Sequence, residues 1–166
     1  ALHIACKAGY PEIARYLVEK GSLIDSPNTD GTTPLQYACA NGHLEIARFL
    51  LQQSADPNSI NDSGMSPIHW AAKKNYTNII ALLIEEGAFV YLENKEGKTP
   101  LHYATENGED SISELLLTNG ADINAEDMQG NTALLNAISA EDSDLALSLI
   151  SNGADLNHAD NEGTSP

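Results

Sequence analysis

The chain has 166 residues, 42% of them hydrophobic, and a formal net charge of −16; no apolar run approaches the roughly 18 residues that a membrane span needs. The charge is uneven, with 11 acidic and 8 basic side chains in residues 1–99 but 13 acidic and no Lys or Arg in residues 100–166. Such a balance excludes nucleic acid as the main ligand, because phosphate binding needs a basic footprint.

Taken in order, the chain repeats itself every 33 residues. Ala1-Leu2-His3-Ile4-Ala5 is followed by Thr33-Pro34-Leu35-Gln36-Tyr37-Ala38 and Ser66-Pro67-Ile68-His69-Trp70-Ala71. Thr99-Pro100-Leu101-His102-Tyr103-Ala104 and Thr132-Ala133-Leu134-Leu135-Asn136-Ala137 come next, and Pro166 falls on the following step. Gly31, Gly64, Gly97, Gly130 and Gly163 form a second ladder in the same period. A third runs through Gly21-Ser22, Ser54-Ala55, Gly87-Ala88, Gly120-Ala121 and Gly153-Ala154.

Period and hexapeptide together resemble the ankyrin repeat, a turn plus two helices of about 33 residues. The resemblance implies an all-α solenoid of stacked helix-turn-helix units with β-hairpin or turn fingers along one edge. It runs over a single array, 1–166: a partial repeat 1 (1–31), repeat 2 (32–64), repeat 3 (65–97), repeat 4 (98–130) and repeat 5 (131–163). Residues 164–166 start a further unit, so both ends are expected to be cut within a repeat.

Each first helix is expected to open at the Thr-Pro, where the missing proline N–H costs nothing. Leu2, Leu35, Ile68, Leu101 and Leu134 share a face with Ala5, Ala38, Ala71, Ala104 and Ala137, small enough to let neighbouring helices approach. Gly9, Gly42 and Gly108 end the helix in the left-handed conformation. Asn75 can adopt it, whereas Glu141 cannot do so cheaply. Each second helix carries a wider apolar stripe, such as Ile46, Phe49, Leu50 and Leu51, then Ile79, Leu82, Leu83 and Ile84, then Ile112, Leu115, Leu116 and Leu117. Repeat 5 departs most, with Ala133, Leu135, Glu141 and Ser148 at key positions, and is expected to be the least stable.

Residues that could carry chemistry have structural explanations. Cys6 and Cys39 share one register and read as buried free thiols, since equivalent helices sit too far apart for a disulfide. His3, His69 and His102 are held apart by the repeat and cannot converge on one metal ion; the resemblance gives this His a structural bond to the neighbouring finger. Glu12, Glu45 and Asp144 suit the first turn of a helix. No catalytic grouping, metal site, cofactor or small-molecule substrate is expected.

The register before the central Ala reads Ile4, Tyr37, Trp70, Tyr103 and Asn136. Tyr37, Trp70 and Tyr103 are expected to line an exposed concave groove, where aromatic residues make interface hot spots. The resemblance places partner contacts at the finger tips and the solvent-facing end of the first helix. Those positions hold Lys7, Lys73, Lys74, Lys95 and Lys98, with Met65 and Asn107 among their neighbours. The expected partner is a protein or peptide of acidic or mixed charge. Asn58, Asn124 and Asn157 occupy the finger position that resembles the target of asparaginyl hydroxylases. The segment is expected to be intracellular, cytoplasmic or nuclear. It acts either as a non-catalytic binding module or as the regulatory or targeting arm of a larger enzyme, channel or scaffold.

Overall fold

The computed structural model describes residues 1–166. They form ten helices in five pairs: α1 (Leu2–Ala8) with α2 (Pro11–Glu19), α3 (Pro34–Ala40) with α4 (Leu44–Gln52), and α5 (Pro67–Lys73) with α6 (Thr77–Glu85). The remaining pairs are α7 (Pro100–Glu106) with α8 (Asp110–Thr118), and α9 (Ala133–Ser139) with α10 (Ser143–Ser151). Two compact units contain them, Ala1–Phe89 (unit 1) and Val90–Pro166 (unit 2).

Why each first helix starts where it does is visible at its cap. In α3 the Thr33 hydroxyl accepts from Gln36 N–H while Gln36 Oε1 accepts from Thr33 N–H at 3.1 Å, a reciprocal box that satisfies two end donors. In α5 and α7 the same third position holds His69 and His102, whose Nδ1 atoms accept from Ser66 N–H at 3.2 Å and Thr99 N–H at 3.1 Å. An Nδ1 that accepts from a backbone amide leaves the ring proton on Nε2. His102 Nε2 therefore donates to Asn131 O, 3.0 Å away in the next finger. This is the structural bond expected for that histidine, and Gln36 Nε2 makes the equivalent one to Met65 O at 2.9 Å.

Within each unit the core lies between helices of successive pairs. Leu35, Ile68, Leu101 and Leu134 are buried with Ala38, Ala71, Ala104 and Ala137 beneath them, and Ile46, Leu50, Ile79, Leu82, Leu83, Ile112 and Leu116 fill the space from the second helices. Cys6 and Cys39 are free and buried. Burial pushes the Cys6 thiol up to about 12 and raises that of Cys39 further, so neither is a nucleophile at neutral pH.

Of the hairpin or turn expected for the fingers, the structure shows the turn: they contain no strand. Each is a turn closed by one side chain. Asn28, Asn61, Asn94, Asp127 and Asp160 stand 33 residues apart, and each Oδ1 accepts from the N–H groups two and four residues on. Successive tips then join through single backbone bonds, Asp62 N–H to Asp30 O at 3.0 Å in unit 1 and Met128 N–H to Glu96 O at 2.9 Å in unit 2. One bond per tip is too few for a ladder. Glycine is needed at these tips because φ is +75° at Gly97 and a Cβ there would meet Met128 N at 2.9 Å.

Candidate functional site

Unit 1 holds a cleft of about 460 Å³ bounded by two fingers and two first helices. Gln36, Tyr37, Ala40 and Asn41 come from α3 and its end, and Trp70 and Lys74 from α5 and its end. Asp30 and Thr32 belong to one finger, Asn61 and Ser63 to the next. Tyr37 and Trp70 are partly buried, so they form a floor with one face open. Two lysines stand beside them: Lys73 Nζ is 5.9 Å from the Trp70 ring centre and Lys7 Nζ 5.6 Å from that of Tyr37. Contacts of this length are cation–π attractions worth about 0.5–1 kcal/mol at exposed sites. His3 meets Tyr37 edge-on with ring centres 6.0 Å apart.

Two of the expected contact residues are not on the surface. Tyr103 is only 5% exposed, because its hydroxyl accepts from Asn94 Nδ2 at 2.8 Å and its ring lies beneath Lys98. Lys98 reaches across the ring to pair with Glu106, a bridge that closes repeat 4 at the place where repeat 3 is open. Burial lowers the affinity of Lys98 for its proton, but the hydrogen bond and charge of Glu106 outweigh it and hold the ammonium above its ordinary range. Met65 is 4% exposed, since its backbone O accepts from both Asn61 N–H and Gln36 Nε2 and draws the residue under the finger. Tyr103 and Met65 are therefore core residues. Lys73, Lys74, Lys95 and Asn107 are exposed.

The three asparagines considered for modification are engaged to different degrees. Asn58 makes a two-bond clasp, donating from Nδ2 to Gly87 O at 3.0 Å and accepting at Oδ1 from Phe89 N–H at 2.8 Å. Asn124 accepts from Asp155 N–H at 2.8 Å, and Asn157 is exposed, with its N–H donated to Asp155 Oδ1. A second cleft, in unit 2, measures about 470 Å³ and is lined by Tyr91, Glu93, Thr99, Asp122, Asn124, Ala125 and Glu126. Its three carboxylates would repel an anion.

Sequence reasoning passed over the polar walls of the unit 1 cleft, namely Gln36, Asn41 and Asn61. The signal for Asn61 was present in its 33-residue recurrence with Asn28, Asn94, Asp127 and Asp160. No group of three or more His, Cys, Asp or Glu side chains is placed to hold a metal ion, and no helix is long and apolar enough to cross a membrane.

A family model described as ankyrin repeats (3 copies) matches residues 1–61, 54–127 and 90–160. Among curated proteins, protein phosphatase 1 regulatory subunit 27 from Homo sapiens is 58% identical over 33 residues. The Mus musculus protein of that name matches equally. The match spans 20% of this chain and 21% of each relative, the length of one repeat.

Proposed function

The chain belongs to the ankyrin-repeat family, whose members are protein-interaction modules, and on that premise we propose that it is a non-catalytic module whose unit 1 cleft binds a protein or peptide segment of acidic or mixed charge. The observation that carries the reading is the half-open floor of Tyr37 and Trp70 with ammonium groups from Lys7 and Lys73 drawn over it. Aromatic burial would supply most of the affinity, and the lysines would speed and orient encounter. Lys95 and Asn107 are the exposed members of the expected set in unit 2 and are assigned a secondary role there.

Affinity capture with wild type against a Trp70→Ala, Lys73→Ala, Lys74→Ala triple variant tests the assignment. Once a partner is in hand, Trp70→Ala alone is expected to weaken binding by about 2 kcal/mol or more, as a hot spot should. Association should slow as salt is raised, because exposed lysines are screened within about 10 Å at 0.1 M. Equal capture by the triple variant would refute the site.

A second reading, a regulatory arm within a larger protein, is favoured by the likeness to a phosphatase regulatory subunit. One repeat's length of identity carries shape more than partner. Adding the chain to protein phosphatase 1 and finding neither binding nor altered activity would remove the phosphatase version.

A further inference from the structure

In repeats 2 and 4 the groove tyrosine is tied to the finger that precedes its helix. Asn28 Nδ2 donates to the Tyr37 hydroxyl at 3.0 Å, and Asn94 Nδ2 donates to that of Tyr103 at 2.8 Å. The finger before repeat 3 keeps the asparagine, Asn61, but repeat 3 has Trp70 in the tyrosine register. An indole nitrogen is a donor only and cannot accept from an amide N–H. The tie is therefore broken from both sides. Asn61 Nδ2 reaches back to Thr32 Oγ1 in the preceding finger at 3.4 Å, a long bond, and Trp70 Nε1 is buried without any partner.

The two residues that carry these poorly satisfied donors thus line one cleft, together with Lys74. The group missing from this arrangement is an acceptor, and the ammonium groups of Lys7, Lys73 and Lys74 along the helix-end edge call for a negative one. Asp30, on the finger wall, disfavours a carboxylate on its own side and so directs it towards Lys74. Resting on the reading of unit 1 above, we propose that the repeat 3 cleft is a subsite for an Asp or Glu side chain of an extended peptide. The carboxylate accepts from Asn61 Nδ2 and from the Lys74 ammonium. A small tilt of the indole then offers the Trp70 N–H to the same segment. A charge-assisted bond to the carboxylate is roughly twice as strong as a neutral one, which separates Glu from Gln as the occupant.

The probe is a fluorescein-labelled peptide of alternating Glu and Gly, read by anisotropy at low salt, with Gln–Gly and Lys–Gly peptides as controls. Wild type is expected to bind the Glu peptide about tenfold or more tightly than the Gln peptide, and the emission of Trp70, the sole tryptophan, should shift on binding. Trp70→Tyr restores the tie to Asn61; it should raise the melting temperature yet weaken the Glu peptide about tenfold. Lys74→Met should bring Glu and Gln peptides to similar affinity. Equal binding of the Glu peptide by wild type and Trp70→Tyr overturns the subsite, as does unchanged Trp70 emission on binding. The first result leaves the wider groove reading intact, the second removes Trp70 from that groove as well, and preference for the Lys peptide sinks the acidic partner in both.

Discussion

The end of every helix in this chain demands a residue at positive φ, and the cost depends on which residue is there. Glycine supplies most of these positions, but Ser54, Asn75 and Glu141 stand at φ of 68°, 61° and 57°. Asn visits this region routinely because its short polar side chain bonds locally, whereas in other residues the Cβ crowds the following carbonyl at a cost of about 1–2 kcal/mol. Glu141 lies between α9 and α10 beside Asp142 and Asp144, so its charge joins a local run of carboxylates. Glu141→Gly is therefore expected to stabilise the protein by about 1 kcal/mol, after allowing for the greater freedom of an unfolded glycine. A urea melt should show a higher midpoint at the same slope. Asn75→Gly should move it little; a comparable gain there would locate the strain elsewhere.

Between elements, stability depends on side chains that bridge one finger to the next. Asn58 bridges with two bonds, but Asp25, in the same register, makes its bond from one side only: both oxygens accept from Asp56 N–H at 3.2 Å. Burial raises the Asp25 pKa; the Asp56 N–H opposes this and the Asp56 carboxylate adds to it. A carboxyl whose folded pKa lies above the unfolded value, about 3.9, favours folding below that unfolded value. This contribution is lost as pH rises through the folded pKa. At neutral pH the ionised Asp25 is a liability, so Asp25→Asn should stabilise by about 0.5–1.5 kcal/mol through a second bond like that of Asn58 to Gly87 O. Its stability curve should lose the gain that wild type shows on acidification through that range; an unchanged curve would exclude Asp25 as the source. The helices that flank these fingers were legible from sequence because Pro, Ala and Gly each have one local reason to sit where they do. Tyr103 and Met65 were not, since their burial follows from Asn94 and Gln36, polar partners that periodicity in apolar residues does not reveal. Trp70 was singled out for its ring, while the consequence of its lost hydroxyl became visible only beside Asn61.

Over the whole molecule the dominant asymmetry is electrostatic. Residues 100–166 carry 13 carboxylates with no Lys or Arg to offset them. At the α7–α8 and α9–α10 junctions stand Glu109 and Asp110 in repeat 4 and Glu141, Asp142 and Asp144 in repeat 5, and Gly108 lies so near Asp142 that an added Cβ would stand 3.0 Å from its carboxylate. A net charge of one sign over this stretch opposes the compact state, and most of it is exposed enough for salt to screen. Repeat 5 has the least to set against this repulsion: Leu135 replaces the histidine bond to the next finger, and Asn136 Nδ2 is buried without a partner. Amide hydrogen exchange should therefore find residues 132–150 less protected than 66–84 at low ionic strength. Raising salt from about 10 mM to about 300 mM shortens the screening length several-fold and should increase protection in 100–166 by more than in 1–89, where acidic and basic side chains are closer to balance. A uniform response along the chain would mean that packing, rather than charge, limits the stability of repeat 5.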